Sequence, residues 1–459
     1  MPIGDDFFRH DEETDRETLI QEEEKLNIKY IPEDINHRRS EMARLRRRFY
    51  EDAIKGSEKQ CFITGQPGTG KTMVVKFYNR KLKEVNDFED TEIIYINARN
   101  NSSEQAFMMK LFEEIGVDYK RGIPISQNLN RLKKRSREDE IPSTIILTVD
   151  EIDHLLKGRS NHLNQIVEKL AEPENLFNGN TFGTTLSFLA VSNKPDIKGD
   201  LDEDIRDSRL EDNTIHFERY DEEELTEILM ERQEAAFKDV ILDNEAMEII
   251  AKEVIENFEG DVRKALEILK KAPKQTGDPN RGYNQEQVVK ESINQVRESQ
   301  IDDILRGADE HRLILMKALG DSINKGKNKL QDIKDRFNKY CEFSKIEKKK
   351  SEDATRSYVY RILENLVEDN FLKKSKNYNE KHHPYYYELK NEPELLQSKV
   401  ENKMKRRNLW EEFVEGYEEY KESTVSFSFG TDEENSEGDE KAEEVLDEEE
   451  KEKMDKLLG

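Results

Sequence analysis

The segment Gly65-Gln66-Pro67-Gly68-Thr69-Gly70-Lys71-Thr72 constrains this chain more than any other. It fits the pattern GxxxxGK[ST] and follows the apolar run Gln60–Thr64, with a helical pattern from Met73 to Lys83 behind it. That strand–loop–helix setting is the one in which such a loop wraps phosphate. Glycines let backbone N–H groups turn inward around an anion, Lys71 reaches β- and γ-oxygens, and the Thr72 hydroxyl binds Mg²⁺. Residues Gly65 through Met73 are therefore the expected contacts to ATP or ADP.

Three further runs carry the same near-continuous apolar character, Ile93–Ile96, Ile145–Val149 and Leu186–Val191, and helical stretches separate them. Strands of this kind predict a parallel sheet covered by helices on both faces, an α/β domain spanning residues 29–218. The third run ends in Asp150-Glu151. Alone, an acid pair after a strand usually opens a solvated helix. Beside a phosphate loop it assigns Asp150 to the Mg²⁺ water shell and Glu151 to polarising the attacking water. Asn193 closes the fourth run, whose end is expected next to that of the Asp150 strand, where its amide could orient water or γ-phosphate. From Asp221 the strands stop and apolar residues recur at helical spacing, which predicts an all-α lid over 219–300. Arg263, in Gly260-Asp261-Val262-Arg263, opens a lid helix and could clamp the γ-phosphate from above.

Charge is distributed unevenly. The formal net charge is −27, which spread uniformly would argue against a nucleic-acid partner. Residues 431–459 hold 14 acids against 4 lysines, whereas residues 311–390 hold 19 lysines and arginines against 12 acids. That basic region reads as three helical patterns followed by two strand-like runs, Phe371–Lys374 and Tyr385–Leu389, the layout of a winged helix over 301–390. The pattern predicts flanking parts: a disordered charged arm over 1–28, a helical extension over 391–427 and a disordered acidic tail over 428–459. Cys61 and Cys341 are too few and too far apart for a disulfide framework or CxxC metal site. The absence of a signal peptide or a long apolar run leads to the expectation of a cytoplasmic, nucleoid-associated protein with no membrane partner.

The order of phosphate loop, Asp150-Glu151, Asn193 and Gly260-Asp261-Val262-Arg263 resembles AAA+ ATPases. Tyr30-Ile31-Pro32 with Asn36-His37-Arg38, Tyr95-Ile96-Asn97-Ala98-Arg99, Asp150-Glu151-Ile152-Asp153 and Val191-Ser192-Asn193 narrow it. With the C-terminal winged helix, they resemble the archaeal and eukaryotic origin-recognition and cell-division-control initiators over residues 28–390. The resemblance implies that Ile31 and Pro32 lie against adenine. It also implies an arginine finger in Leu201–Leu210, with Arg209 the first choice and Arg206 the second, completing a neighbouring subunit's site by self-association. Asp204 and Asp207 stand where the family is often basic or neutral.

In the winged helix, Ser351–Thr355 reads as an N-cap and first turn. Ile362, Leu363 and Leu366 are expected in the core, leaving Arg356, Tyr360 and Arg361 to face a major groove. Lys373, Lys374 and Lys376 on the hairpin, with Lys348–Lys350 and Lys381 nearby, are candidates for phosphates. The turn Asn377–Glu380 lacks the glycine and arginine common in the family's wing, so backbone contact is expected there. The reading that follows is a replication initiator whose ATP state governs binding of origin duplex DNA and recruitment of a replicative helicase or related initiator subunits. A regulatory P-loop ATPase using the winged helix as a packing module, or a helicase or clamp loader without origin specificity, shares most of these features. Burial of Arg356 and the hairpin lysines would favour the packing module.

Overall fold

The computed structural model describes residues 21–428, apart from 85–89, 139–140, 157–161, 173–175, 178–183, 209–212, 276–283, 347–351, 370, 378–383 and 391. Two compact units divide at Val289 and Lys290.

In the first unit, α1 (Arg39–Leu45) leads through a π turn into β1 (Gln60–Gly65), the phosphate loop and α2 (Lys71–Glu84). Then come β2 (Thr91–Asn97), α3 (Glu104–Ile115), α4 (Ile125–Arg137), β3 (Thr144–Asp150), α5 (His162–Ala171), β4 (Thr185–Val191), α6 (Glu203–Ser208) and β5 (Thr214–Phe217). The five strands are all parallel, in the order β2-β3-β4-β1-β5. Side chains alternate across the sheet as its pleat requires. Ile145, Leu147 and Val149 of β3 join Leu186, Phe188 and Ala190 of β4 in a core with α3 and α5. Ile146, Leu189 and Val191 face the other way, onto Leu45, Phe49, Val74 and Val75. Helices thus cover both faces, as expected, and β3 and β4 pair side by side. The edge strand β5 has no counterpart in the sequence reading: Thr-Ile-His-Phe is too short and too polar to stand out.

The lid follows as α7 (Glu222–Ala236), α8 (Asn244–Phe258) and α9 (Val262–Lys271), whose apolar stripes meet each other. Asp221 and Glu224 form a reciprocal capping box at the start of α7, and Asp243 caps α8. The expected free arm over residues 1–28 needs correction at its end. Residues 23–26 form a short turn that packs on α7 and α9, with Leu26 3% exposed, and the Gln21 and Glu22 amides donate to the Ala236 carbonyl. The single apolar side chain in an acidic run was too weak a pattern to read as a docked segment.

The helix α10 (Gln285–Leu305) contributes buried Val288 and Val289 to the first unit and Ile301, Ile304 and Leu305 to the core of the second. The second unit continues with α11 (Glu310–Asn324), α12 (Leu330–Phe343), α13 (Glu352–Glu368), the antiparallel hairpin β6 (Leu372–Lys376) and β7 (Tyr385–Leu389), then α14 (Pro393–Lys405) and α15 (Leu409–Ser428). Three helices and a hairpin make a winged helix. The predicted separate extension is corrected here, because its helices complete the same core. Leu396, Val400, Met404, Leu409, Trp410, Phe413 and Tyr417 are buried against α11 and α12. Gly416 is required by that packing, since a Cβ there would fall 2.0 Å from the Phe343 carbonyl oxygen. A buried ionic cluster adds to it: Lys317 lies 2.9 Å from Asp321 and 3.1 Å from Glu401, and Asp321 also accepts the Tyr340 hydroxyl at 2.7 Å.

Candidate nucleotide site and nucleic-acid face

A cavity of about 420 Å³ opens where the phosphate loop, the carboxyl ends of β1, β3 and β4, and the lid converge. Its size suits a small ligand, and its place outside the strand ends is where open α/β sheets bind one. Thr69 closes the phosphate loop by donating to the Gln66 carbonyl at 2.9 Å. Gly68 and Gly70 both have positive φ, and an added Cβ on Gly70 would fall 2.4 Å from the Tyr220 hydroxyl. The loop can therefore carry no side chain where the lid and its connection approach.

Lys71 is 5% exposed and donates from Nζ to the Gly65 and Gln66 carbonyls at 2.8 and 2.7 Å. Burial lowers its pKa to about 8, against the pull of Asp150. Thr72 donates its hydroxyl to both carboxylate oxygens of Asp150, and the Tyr95 hydroxyl donates to Asp150 Oδ2 at 2.5 Å. Burial raises the Asp150 pKa, opposed by those two hydroxyls. The Thr72 hydroxyl and a single buried carboxylate are hard oxygen donors, which suits Mg²⁺ held largely through water. Among the described residues no group of three or more His, Cys, Asp or Glu could hold a metal.

Glu151 follows with φ +53, a left-handed turn that ends the strand and brings its carboxylate into the cavity wall, 3.9 Å from Arg99. Asp153 fixes the neighbouring strand end: its Oδ1 accepts the Asn193 amide N–H at 3.0 Å and the Ser192 hydroxyl at 3.1 Å. Asn193 thus lines the same cavity as Glu151, Lys71 and Arg263. Arg263 enters from α9 and is forked to Asp261, which holds its guanidinium more firmly charged.

Ile31 and Pro32 line the far end of the cavity with Tyr30, Ile228 and Leu266. Arg80, on the helix that begins at Lys71, donates to the Ile31 and Pro32 carbonyls at 3.1 and 2.7 Å. Arg38 sits at the connection from β5 to the lid. Its guanidinium stacks 3.8 Å above the Tyr220 ring, donates to the Glu218 carbonyl at 2.7 Å and pairs with Glu41 at 3.2 Å. Asn36 and His37 reach Glu231 and Glu227 on α7. The sequence reading did not assign roles to Tyr95, Arg80, Asp153 or Asp261. Tyr95, Asp153 and Asp261 stood inside the runs Tyr95–Arg99, Asp150–Asp153 and Gly260–Arg263 that carry the resemblance, whereas nothing in the sequence marked Arg80.

Of the finger candidates, Arg209 lies outside the described residues, and Arg206 is bound to its neighbour Asp207 at 2.7 Å. An internal ion pair therefore occupies the second choice. In the second unit Ile362, Leu363 and Leu366 are buried, while Arg356, Tyr360 and Arg361 on α13 and Lys373 and Lys376 on β6 are exposed. Lys374 differs. Its Nζ donates to Glu364 at 2.7 Å and lies 3.9 Å over the Tyr385 ring, and Glu364 also accepts the Tyr387 hydroxyl at 3.2 Å. Its charge is spent inside the fold, so it ties the hairpin to α13. Ser351, Lys348–Lys350, Lys381 and most of the Asn377–Glu380 turn lie outside the described residues. Both cysteines are buried and free, and no described helix is long and apolar enough to cross a membrane.

Comparison with known proteins agrees with this geometry. A family model described as an AAA domain matches residues 54–191, and one described as a Cdc6 AAA+ ATPase-type lid domain matches residues 226–298. The chain is 28% identical over 301 residues to ORC1-type DNA replication protein 1 of Methanothermobacter thermautotrophicus, covering 64% of this chain and 75% of the relative. It is 28% identical over 286 residues to the protein of that name from Sulfurisphaera tokodaii, covering 61% and 67%. Among solved structures, the Aeropyrum pernix ORC1 protein in complex with DNA superposes with a TM-score of 0.66 at 20% identity, over 84% of this chain and 97% of that one. At such identity the likeness concerns the fold. In its phosphate loop, strand-end acids and lid the chain thus matches an AAA domain followed by a Cdc6-type AAA+ lid, and it is similar to ORC1-type DNA replication proteins.

Proposed function

We propose that this protein is a DNA replication initiator in which a bound ATP, with Mg²⁺, governs how the winged-helix unit engages origin duplex DNA. The observation that carries the reading is one chain in which a lidded nucleotide cavity is joined to a unit exposing Arg356, Tyr360, Arg361 and Lys373 on its α13 and hairpin. The ORC1-type replication proteins among its relatives support the same reading.

In the nucleotide site, Lys71 would leave the loop carbonyls for the β- and γ-oxygens, with Gly65 to Met73 wrapping the phosphates and Ile31 and Pro32 against adenine. Thr72 and Asp150 would hold Mg²⁺, which supplies charge neutralisation on the phosphates. Glu151 would take the proton of the attacking water, Asn193 would orient that water, and Arg263 would bind the γ-phosphate. Hydrolysis is slow, because a switch needs a long-lived ATP state. Arg209 of a neighbouring copy is the proposed finger. In the second unit, Arg356, Tyr360 and Arg361 face a major groove, while Lys373 and Lys376 meet backbone phosphates. A replicative helicase or a related initiator subunit is the proposed protein partner.

Genome-wide crosslinking of the intact protein to DNA tests the proposal. Peaks at one or a few loci, lost in Lys71→Ala, are expected, and an even distribution over the genome would refute origin binding.

A further inference from the structure

Asp261 links three things that the nucleotide reading treats separately. It caps α9, its carboxylate accepting the Arg263 amide N–H at 2.9 Å. The same carboxylate receives Arg263 Nε at 2.8 and 3.0 Å and Nη2 at 2.5 Å. It also lies against the phosphate loop, where an added Cβ on Gly68 would fall 2.0 Å from Asp261 Oδ1 and 2.8 Å from its Cα. The fork uses the Nε–Nη2 edge of the guanidinium and leaves Nη1 for another oxygen. The Arg263 side chain is 48% exposed, so packing alone would leave it several rotamers, whereas a bidentate pair fixes one plane.

Resting on the reading of this cavity as an ATP site, we infer that Asp261 is a positioning residue that sets the site's preference for a triphosphate over a diphosphate. It aims Arg263 at the position of the third phosphate, and its contact with Gly68 ties that aim to the shape of the phosphate loop. A carboxylate serving only as a helix cap would contribute stability without distinguishing ATP from ADP.

Asp261→Asn in the full chain keeps a cap acceptor but loses the charge and one fork oxygen. With Mg²⁺ present, calorimetry should show affinity for the imidotriphosphate analogue of ATP falling about five- to tenfold, while ADP affinity changes by less than about twofold. Added to Arg263→Ala, the same substitution should leave the ratio of the two affinities unchanged, because the arginine it aims is gone. Asp261→Ser, which also caps well, serves if the asparagine variant does not fold. A lowered melting temperature with an unchanged ratio would reduce Asp261 to a cap and overturn the inference. A rise in triphosphate preference would overturn it too, by making Asp261 a competitor of the γ-phosphate. Wild-type protein that bound neither nucleotide would instead overturn the ATP-site reading itself.

Discussion

Thr72 donates its hydroxyl to the Asp150 carboxylate at 3.0 and 3.2 Å, although 78 residues separate them in the chain. The pair joins the first turn of α2 to the end of β3 at the point where a magnesium ion would be shared, and Tyr95 from β2 completes it. Removing the Tyr95 hydroxyl leaves Asp150 Oδ2 with the Thr72 donor alone, so the carboxylate loses one of the contacts that orient it. Tyr95→Phe should therefore weaken Mg²⁺-dependent nucleotide binding roughly tenfold while leaving Mg²⁺-free binding nearly unchanged. Titrations with and without the ion read this difference. Equal losses in both would separate Tyr95 from the ion.

Glu151 lines the cavity 3.9 Å from Arg99, and its proposed role is to take a proton from water rather than to hold phosphate. Glu151→Gln should retain ATP and lower phosphate release by about 100-fold or more. Unchanged turnover would remove Glu151 from its role.

The buried ammonium of Lys71 makes nucleotide affinity depend on pH. Its pKa near 8 lies below the ordinary lysine value, so between the two the free folded protein holds fewer protons than the unfolded chain. Stability from this group therefore rises with pH across that window. Phosphate oxygens favour the charged form, so the complex holds more protons than the free protein above pH 8, and affinity falls as pH rises through that value. The limiting slope is about tenfold per pH unit. Lys71→Met should bind weakly and flatten the profile, and a wild-type profile flat from pH 7 to about 9.5 would contradict the burial argument.

Leu26 tests the corrected boundary at the N-terminal side. It is fully enclosed by the lid helices, and Leu26→Ala should cost about 2–4 kcal/mol in the stability of the first unit. Chemical denaturation with the lid unfolding reported separately would measure it. A change below about 0.5 kcal/mol would mean the segment is dispensable.

What could be read from the sequence was whatever has a local signature. The phosphate loop, Asp150-Glu151 after an apolar run, and Asn193 at the end of the next strand each announce themselves within a few residues, and the parallel pairing of β3 with β4 brings them together as expected. The residues that hold the site in shape have no such signature. Arg80 belongs to an ordinary helix and matters only because Ile31 and Pro32 pass beside it. Lys374 reads as one more surface lysine until Glu364 and Tyr385 are seen around it. Short elements also escaped: β5 spans four residues, and the turn at 23–26 carries one apolar side chain.

The helices α14 and α15 decide how the duplex-binding reading must be tested. A fragment ending at residue 390, the boundary that the winged-helix pattern suggests, removes Leu396, Val400, Met404, Trp410, Phe413 and Tyr417 from a core they share with α11 and α12. Losing several buried side chains at about 1.5–3 kcal/mol each exceeds what a small domain can spare. Residues 290–390 should therefore fail to unfold cooperatively, whereas 290–428 should do so, as followed by circular dichroism on heating. With the longer fragment, Arg356→Ala and Arg361→Ala should weaken duplex binding and reduce the slope of log affinity against log salt, by about one for each arginine that meets a phosphate. Lys374→Ala should leave that slope alone and lower the melting temperature instead, because its partner is Glu364. A folded 290–428 fragment that retains no duplex at low salt would turn the exposed face of α13 into a protein-binding surface.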